Sequence, residues 1–516
     1  MYTTKKLKQE ARQALKTGVD TIADIVKVSL GAEGRNVIIP TPDQSNYIIT
    51  KDGVSIAKSI NPENTYEAIG ANLIKEAAHR TNFEAGDGTT TATVLAQSIF
   101  HKGLNLINKD LSPISIKKGM EDATKAVVRE LNSLSKKVDK RSLKKVATIS
   151  ANGDEVLGDL ISKAFNKIGK HGKVITEKSD TLESYVDLKD GVVLERGWTH
   201  SAFKTDSIKD VCVLEDTFIL IHKGKIEKGD TIVDLFEQVF NDPKGKLLIL
   251  TDDIDPFVHS VIVQNVTKKA IHNKICVVKL PQILKIHKHL LSDIAVLTGA
   301  NIIADELGTK ISAENLGRIN KCIVTEKETL IVGDNANIKS LITEIEEKIN
   351  ITKNKFEREE LQERLARISG GVATLYVGAG SDTTLKETVD RVEDSINATR
   401  AALEEGIVPG GGIALCNAAT SVKSSFLRGT REAYDEGFNA VLEACKTPAL
   451  QICENADIPP ITDEKGFGVD VKTRQGVDMI KAGIIDPTKV VRCALENATS
   501  VASLFLTTEA VVGLKK

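Results

Sequence analysis

A run of glycine, aspartate and threonine, Gly86–Thr91 (GDGTTT), is followed directly by a helix-like apolar segment, Ala92–Ala96. Glycines on both sides of Asp87 allow positive φ and close approach of the backbone to another group. A helix start offers unpaired N–H groups and a positive dipole end to an anion, and a carboxylate suits a hard divalent cation. Such a run is also typical of a turn whose Asp or Thr caps the helix. On its own it leaves both interpretations open, a metal-phosphate site and a helix cap.

Length, composition and charge limit the class of protein. At 516 residues the chain is longer than a single hydrophobic core normally supports. We therefore expect about three domains. Apolar residues make up 41% and aromatic residues only 4%, so the cores are predicted to consist mainly of Ala, Val, Ile and Leu. A net charge of −2 argues against a nucleic-acid-binding protein, whose surface is normally basic.

The expected location follows from targeting signals and cysteine usage. The chain has no run near the roughly 18 apolar residues of a membrane span, and its charged beginning has no apolar signal core. The seven cysteines include no CxxC pair, which predicts free thiols in a reducing compartment. We therefore expect no membrane partner and a cytoplasmic location, or an organellar stroma or matrix if the chain is organelle-encoded or a mature form.

The spacing of apolar residues divides the chain into regions of different character. Helical spacing predominates from about residue 5 to 130 and again after about 382. Between them, strand-like runs alternate with helical patterns, as at Thr217–Ile221, Leu247–Leu250 and Ile275–Val278. This alternation predicts an α/β domain. Gly191 and Gly370-Gly371 flank the region, which suits a hinged domain.

No Walker A sequence is present, because the nearest match, Gly224–Thr231, has Asp230 where the phosphate-binding lysine is required. Other short segments could supply phosphate or metal contacts, although each also has a common structural explanation as a cap, turn, hinge or helix start. They are Leu30–Arg35, Lys51–Gly53, Gly410–Gly412 and Asp486–Lys489. Asp394 stands in a helical stretch, where an aspartate usually lies on a solvated face.

Six sequence blocks, taken together and in their order along the chain, resemble the group I chaperonins (the GroEL family). The most specific is GDGTTTATVLAQ at Gly86–Gln97. The other five are TKDGVS at Thr50–Ser55, TISAN at Thr148–Asn152, LQERLA at Leu361–Ala366, ATRAA at Ala398–Ala402 and GIIDPTKV at Gly483–Val490. The resemblance covers nearly the whole length and implies an ATPase that assists protein folding.

The resemblance implies a role for individual residues in binding ATP, Mg²⁺ and K⁺. Asp87 would bind Mg²⁺, and Thr90 would contribute to a K⁺ site near Lys51. Asp52 and Asp394 would position and activate the attacking water, because phosphoryl transfer depends mainly on positioning and charge stabilisation. The nucleotide contacts would come from Ser29, Leu30, Gly31, Lys51, Asp87, Gly88, Thr89, Thr90, Thr91, Gly411, Asp470, Val471 and Asp486.

The implied fold is multidomain and predominantly α-helical, with an α/β apical domain. The resemblance places an equatorial ATP-binding domain at 1–132 and 405–516, an intermediate hinge domain at 133–189 and 372–404, and an apical domain at 190–371. Seven subunits would form a ring, usually two rings back to back. The ring would enclose non-native polypeptides under a co-chaperonin cap.

The apical surface departs from the pattern of the family. Its implied client-binding residues are Trp198, Phe203, Val233, Phe236, Val258 and Val263. However, Ala202 replaces an aromatic residue, and His259 and Gln264 stand where aliphatic residues are usual. Each lost apolar side chain forfeits about 1.5–3 kcal/mol of transfer free energy, so we expect weaker client or co-chaperonin binding.

Two hypotheses for the function follow. The first is an ATP-hydrolysing chaperone that encloses non-native chains, and it is favoured by the intact set Asp52, Asp87 and Asp394. The second is a specialised paralogue that acts as a holdase or an assembly scaffold, and it is favoured by the altered apical surface. A small-molecule kinase is disfavoured because no substrate-phosphorylation motif is present.

Overall fold

The chain forms two compact units. The computed structural model describes residues 3–40, 47–169, 172–179, 181–189, 191–194, 196–206, 210–227, 229–280, 284–304, 311–333, 337–352, 354, 357–358, 361, 364–365, 368, 372–425, 432–459 and 467–514. Within these ranges, no helix is both long enough and apolar enough to cross a membrane.

Helices predominate over strands in the described ranges. The α-helices are α1 Lys8–Val26, α2 Gly53–Ser59, α3 Thr65–Ala85, α4 Thr89–Ile107, α5 Pro113–Leu134, α6 Lys140–Ser150, α7 Glu155–Ile168, α8 Gly229–Phe240, α9 Pro256–Thr267, α10 Leu284–Thr298, α11 Asn337–Ile351, α12 Asp382–Glu405, α13 Ile413–Ser425, α14 Glu432–Ala444, α15 Thr447–Asn455, α16 Met479–Ala482 and α17 Thr488–Leu506. Short 3₁₀ turns occur at Lys27–Ser29, Ser201–Phe203 and Ala313–Asn315.

The strands form one large sheet and several small ones. They are β1 Thr3–Leu7, β2 Val37–Pro40, β3 Tyr47–Thr50, β4 Lys173–Lys178, β5 Tyr185–Lys189, β6 Gly191–Leu194, β7 Cys212–Ile226, β8 Leu247–Ile254, β9 Ile275–Lys279, β10 Ile302–Ala304, β11 Gly317–Val324, β12 Thr329–Val332, β13 Val372–Val377, β14 Ile407–Pro409, β15 Phe467–Asp470, β16 Gln475–Asp478, β17 Ile485–Pro487 and β18 Ala510–Leu514.

The first unit, which we call unit 1, consists of Met1–Ser162, Asp180–Glu183 and Val377–Lys516. Its core is mainly a cluster of buried side chains from α1, α3, α4, α5, α14 and α17. At its centre Phe100 of α4 packs on Phe505 of α17, with ring centroids 4.8 Å apart. Strands β1 and β18 pair antiparallel, so both ends of the described chain belong to this unit.

Reciprocal glycine contacts let two helix pairs of unit 1 approach closely. A Cβ on Gly18 of α1 would lie 1.9 Å from the carbonyl oxygen of Glu67, and one on Gly70 of α3 would lie 2.3 Å from that of Leu15. Gly119 of α5 and Gly437 of α14 make the same kind of contact with each other's helix. Any larger residue at these positions would push the helices apart, so the core that carries α3 and α4 is tightly defined.

The second unit, unit 2, consists of Lys163–Ser179 and Ser184–Tyr376. Its main sheet has the strand order β6-β12-β11-β7-β8-β9, and β10 also pairs with β7. Strands β7, β8 and β9 are parallel and are connected through α8 and α9. The residues Leu247–Leu250 of β8 are fully buried, as expected for a parallel strand covered on both faces.

The predicted fold class, predominantly α with an α/β insert, is confirmed. The runs predicted as strands at Thr217–Ile221, Leu247–Leu250 and Ile275–Val278 lie in β7, β8 and β9. The division into three domains stays a prediction, since the structure groups the chain into two units and most of the proposed hinge segments belong to unit 1. The charged segment 338–368 contains most of α11, and its second part lies mostly outside the described residues.

Candidate functional site

The loop between α3 and α4 presents unpaired backbone groups. Gly86 ends α3 with φ 71°, and Gly88 precedes α4 with φ 84° and makes no side-chain cap. The Asp87 carboxylate accepts a hydrogen bond from the N–H of Gly88 at 2.5 Å, so neither Asp87 nor a threonine caps the helix. The helix-cap interpretation of this run is therefore wrong. The first N–H groups of a helix have no partner within it, and no side chain caps them here, which suits an anion site.

Neighbouring helices explain why both glycines of the loop are required. A Cβ on Gly86 would lie 2.4 Å from Cβ of Asn397 in α12, and one on Gly88 would lie 2.6 Å from Cγ1 of Val490 in α17. The Asn397 amide donates to the Gly86 carbonyl at 3.3 Å. The loop is thus held between two helices from the far end of the sequence.

The turn at Lys51–Gly53 packs directly against this loop. Asp52 caps α2, and its carboxylate accepts from the N–H groups of Val54 at 3.1 Å and Ser55 at 2.9 Å. A Cβ on Gly53 would lie 2.5 Å from Oγ1 of Thr90 and 2.9 Å from Oγ1 of Thr89. The segments TKDGVS (Thr50–Ser55) and GDGTTT (Gly86–Thr91), which are far apart in the sequence, therefore lie together at one candidate site.

Asp394 reaches the same site from α12. This helix begins at a cap by Ser381, whose hydroxyl accepts from Thr384 N–H at 3.2 Å, and it is held by the hydrogen bond from Ser395 Oγ to the Ala147 carbonyl at 2.7 Å. Burial, followed by the negative charges of Asp87 and Asp52, raises the pKa of Asp394 well above its usual range. The expectation that a helical Asp lies on a solvated face does not hold here.

Asp486 faces the loop from a strand instead of a helix start. It lies in β17, opposite Val408 of β14, and its carboxylate accepts from the N–H of Gly411. Burial, and then the charge of Asp87, raises the pKa of Asp486 to about 7. The interpretation of Asp486–Lys489 as a capped helix start is wrong for the aspartate, because α17 begins after Pro487 without a side-chain cap.

A further carboxylate, Asp390, was missed by the sequence reasoning. It precedes Asp394 by one helical turn on α12, and burial together with the charge of Asp52 raises its pKa. Its spacing of four residues from Asp394 was the signal that could have found it. Burial, with Asp52 as a negative neighbour, also raises the pKa of Asp87. The site is therefore rich in negative charge and would be stabilised by a cation.

The carboxylates at this site fit a cation that takes the rest of its ligands from water or from a bound phosphate. Among the described residues, no three His, Cys, Asp or Glu side chains come together as a metal cage. Mg²⁺ commonly uses one or two carboxylates and completes its shell with water and phosphate oxygens. The half-buried Asp87, beside the open start of α4, offers that kind of partial site.

Other predicted residues border the loop region less directly. Gly31 has φ 87° and lies against Ile452 of α15, and the Asn455 amide donates to the Leu30 carbonyl at 2.9 Å. Ser29 is buried, and its hydroxyl donates to the Val26 carbonyl at 2.9 Å. The structure does not bring Asp470 to the carboxylates; its side chain accepts from Lys472 N–H and Thr473 Oγ1 in its own turn, and Val471 is buried beside it.

The residues predicted to bind clients all lie in unit 2, where their exposure differs widely. Val233 of α8 is 47% exposed, whereas Trp198, Phe236 and Val263 are half-buried. The expectation is corrected for Phe203 and Val258, which are 1% and 5% exposed and belong to the core, so their side chains offer no surface. The sequence reasoning missed Phe257 and Val261 of α9, which are 76% and 39% exposed.

Comparison with known proteins identifies the family. The sequence profile of the TCP-1/cpn60 chaperonin family matches residues 22–516. The chain belongs to the TCP-1/cpn60 chaperonin family. The recognition made from the six sequence blocks is confirmed at this level.

Solved structures of a phage chaperonin share the fold of this chaperonin. One is the chaperonin gp146 from bacteriophage EL 2 (Pseudomonas aeruginosa) in the presence of ATP-BeFx, crystal form II, with a TM-score of 0.74 and 20% identity. The same protein in crystal form I gives a TM-score of 0.66, also at 20% identity. Each match covers 99% of both chains, so the whole architecture is that of a chaperonin.

Proposed function

We propose that this chaperonin hydrolyses ATP at the loop Gly86–Thr91 and uses the cycle to enclose and fold non-native polypeptides. The observation that carries the proposal is the convergence of Asp52, Asp87 and Asp394, which are far apart in the sequence, at the open start of α4. Membership of the chaperonin family and the structure of gp146 in the presence of ATP-BeFx support nucleotide binding here.

Mg-ATP would occupy the loop with its phosphates at the start of α4. Asp87 would hold Mg²⁺, and Thr89, Thr90 and Thr91 would donate to phosphate oxygens, with K⁺ near Thr90 and Lys51. The bound Mg²⁺ would neutralise charge that develops on the phosphates. Leu30 and Gly31 would close over the phosphates. Gly411 and Asp486, which are hydrogen-bonded to each other, would border the nucleoside.

The geometry supports different roles for the two proposed catalytic aspartates. Both carboxylate oxygens of Asp52 already accept backbone hydrogen bonds, so Asp52 is suited to orient the attacking water through its remaining lone pairs. No hydrogen bond to the Asp394 carboxylate is found in the described part of the chain, and its raised pKa suits a proton acceptor. Asp394 is therefore proposed as the general base.

The decisive experiment measures ATP binding and turnover separately. Asp394→Asn should bind Mg-ATP with nearly unchanged affinity but hydrolyse it roughly 10²-fold or more slowly, since general-base catalysis typically contributes 10²–10⁴-fold. The matched control is Glu393→Gln, a change at the exposed neighbour on the same helix. Equal turnover by Asp394→Asn and the wild type would rule out the proposed base.

The holdase or scaffold hypothesis makes a different prediction for the same variant. A holdase would still prevent aggregation of an unfolded client when hydrolysis is blocked, whereas a folding chamber would no longer return active client. The polar residues His259 and Gln264 on α9 are the observation that favours this alternative. Recovery of client activity, compared with suppression of light scattering, separates the two.

The assembly and partners are proposed at the level of the family. We propose a homo-oligomeric, seven-membered ring, usually doubled, with a co-chaperonin cap and a cytoplasmic location. Exposed apolar side chains of α8 and α9, Val233, Phe257 and Val261, support a rim that binds unfolded chains. Particle images with and without ATP test the ring directly.

A further inference from the structure

Asn397 lies on the face of α12 that meets the loop between α3 and α4. Its amide donates to the Gly86 carbonyl at 3.3 Å. The two residues are in close contact, since a Cβ built on Gly86 would lie 2.5 Å from Cγ and 2.7 Å from Nδ2 of Asn397. Gly86 takes up this position with φ 71°, a conformation that suits a residue without a side chain. The residue that precedes Asp87 therefore rests directly on the Asn397 side chain.

The same face of α12 carries Asp394. Asp394, Asn397 and Ala401 follow one another at intervals of three and four residues, which places them on one side of an α-helix. Ala401 is buried in an apolar cluster with Ala85 and Val490. Along this face, α12 thus runs from a packed apolar contact at Ala401, through the Asn397 hydrogen bond, to the carboxylate of Asp394.

The position of Asp394 is sensitive to the tilt of α12. With a rise of about 1.5 Å per residue, Ala401 and Asp394 lie about 10 Å apart along the helix axis. A tilt of about 6° around Ala401 would therefore move Asp394 by about 1 Å, and a misplacement of that size can cost roughly 10²-fold in rate. Because Asn397 lies between these two residues, its hydrogen bond to Gly86 opposes such a tilt.

The charges at the site act against this contact. After burial, the charge of Asp87 contributes most to the raised pKa of Asp394, so the two carboxylates repel each other when both are ionised. The amide of Asn397 is neutral and joins the same two elements, the loop and α12. The hydrogen bond from Ser395 connects α12 to α6 instead. The Asn397 amide is therefore suited to hold the loop and α12 together against the repulsion.

We propose that Asn397 is a positioning residue, whose hydrogen bond to Gly86 sets the distance between Asp394 and the Asp87 loop. The inference rests on the proposed function, since it concerns the placement of the proposed base. Leucine has nearly the shape of asparagine but no donor, so Asn397→Leu keeps the packing against Gly86 and removes the hydrogen bond. Histidine carries a nitrogen donor on Cγ, as asparagine does, so Asn397→His can restore the bond.

The experiment measures turnover and Mg-ATP affinity of the full-length protein for both variants, for Asp394→Asn and for the double variant of Asn397→Leu with Asp394→Asn. Asn397→Leu should lower kcat by about tenfold or more and leave the Kd of Mg-ATP nearly unchanged, and Asn397→His should regain most of the turnover. The double variant should be little slower than Asp394→Asn, because the effect of Asn397 acts through Asp394. The matched control is Asn82→Leu, the same change at an exposed residue of α3 one turn before Gly86, and it should behave as the wild type does.

A second readout needs no nucleotide. Hydrogen–deuterium exchange of the α12 amides around Asp394 should be severalfold faster in Asn397→Leu than in the wild type, because a loosened contact lets the helix open locally more often. Asn397→His and Asn82→Leu should exchange at the wild-type rate. Exchange that is unchanged in Asn397→Leu would overturn the positioning role, whatever the state of the ATPase.

The variants separate the failure of this inference from that of the proposed base. Wild-type turnover in Asn397→Leu, together with slow turnover in Asp394→Asn, would overturn the role of Asn397 and leave Asp394 in place. Additive losses in the double variant, or a large loss of Mg-ATP affinity in Asn397→Leu, would show that Asn397 supports the fold of the loop and does not act through Asp394. Wild-type turnover in Asp394→Asn would overturn the proposed base and, with it, the role of Asn397.

Discussion

At the scale of single residues, the site depends on how closely backbones approach each other. Gly53 has no side chain between the Asp52 turn and the start of α4, where Thr89 and Thr90 leave less than 3 Å for an added Cβ. Real Cβ atoms are essentially never found within 3 Å of another such heavy atom. The relative position of Asp52 and Asp87 is therefore fixed by the absence of a side chain at one residue.

The change Gly53→Ala should damage catalysis more than folding. An added methyl group would displace the Asp52 turn from the loop, and misplacement by about 1 Å can cost roughly 10²-fold in rate. We expect turnover to fall by about that factor, with the thermal midpoint lowered only slightly. The matched control is Gly380→Ala, where an added Cβ meets nothing within 4 Å. Similar turnover in both variants would show that the Gly53 contact does not position Asp52.

The raised pKa of Asp486 gives a pH-dependent prediction. Its folded pKa of about 7 exceeds the ordinary value of 3.8, so the folded chain binds more protons than the unfolded chain between these values, and this group lowers stability as the pH rises. Asp486→Asn mimics the neutral form. The nucleotide-free variant should be more stable than the wild type at pH 8, on the order of 1–4 kcal/mol, and the difference should disappear near pH 4.

Urea unfolding at the two pH values measures this difference. Asp478→Asn is the control, since Asp478 is a partly exposed helix cap whose pKa is lowered by hydrogen bonds at Lys481, and it should bring no gain at pH 8. A stability gain for Asp486→Asn that is the same at pH 4 and pH 8 would contradict the pKa argument.

Some site residues could be predicted from the sequence and others could not, for a physical reason. Asp87 and Asp52 lie in glycine-rich turns, whose composition already marks unusual backbone geometry. Asp394 and Asp390 lie in an ordinary amphipathic helix, where only the tertiary packing of α12 shows which face is covered. The family resemblance supplied Asp394, and Asp390 could have been found only from its spacing of four residues from Asp394.

At the scale of secondary structure elements, polar networks orient the helices that carry the loop. Asp20 of α1 accepts hydrogen bonds from His101 of α4 at 2.6 Å, from Lys16 at 2.5 Å and from Gln97 at 2.9 Å. Burial alone would raise the pKa of Asp20, but these three bonds lower it further than burial raises it. The carboxylate thus holds α1 against α4, the helix that follows the Asp87 loop.

Asp20→Asn should destabilise the α1–α4 contact at neutral pH. Hydrogen bonds to charged groups contribute about 1.5–3 kcal/mol each, and partial exposure of Asp20 reduces the effect, so we expect a loss of roughly 1–2 kcal/mol. Because the folded pKa is lowered, this stabilisation is complete above the unfolded pKa of about 3.8 and decreases progressively as the pH falls from there through the lower folded pKa, so the loss should be smaller at pH 3 than at pH 7. Unfolding in urea at pH 7 and pH 3 measures both.

Asp24→Asn is the control for this change. Asp24 lies one turn later on α1, is more exposed and also contacts Gln97, at 3.0 Å. Its loss should cost clearly less at pH 7. If the two variants were equally stable, the shared network around Asp20 would have no special role.

Element boundaries show the same limit of sequence reasoning as single residues. The parallel strands β7, β8 and β9 were predicted because strands covered on both faces are continuously apolar. The strand β17 was not predicted, since Asp486-Pro487-Thr488 has the composition of a helix start. Asp486 and Pro487 belong to a strand only because they pair with β14. Long-range pairing cannot be found in local composition.

At the scale of the whole molecule, one surface of unit 1 remains incomplete in a single chain. The strands β2 and β3 pair only with each other in the described ranges, and Ile38, Tyr47, Ile48 and Ile49 on them are 40–67% exposed. A lone two-stranded hairpin is marginally stable in water, and an exposed apolar patch of this kind marks an interaction surface. A neighbouring subunit of the proposed ring would cover it.

The change Ile48→Lys tests whether this surface joins subunits. A lysine should oppose burial of the hairpin at an interface, while Ile48, already half exposed in the single chain, contributes little to the folding of unit 1. We expect sedimentation velocity to show mostly subunits in place of rings, with an unchanged helical circular dichroism spectrum. The control Ile114→Lys places the same charge at a side chain 76% exposed on α5, outside the hairpin, and should leave rings intact. Rings of normal size from Ile48→Lys would place the subunit interface elsewhere, and loss of rings in both variants would show only that added charge prevents assembly.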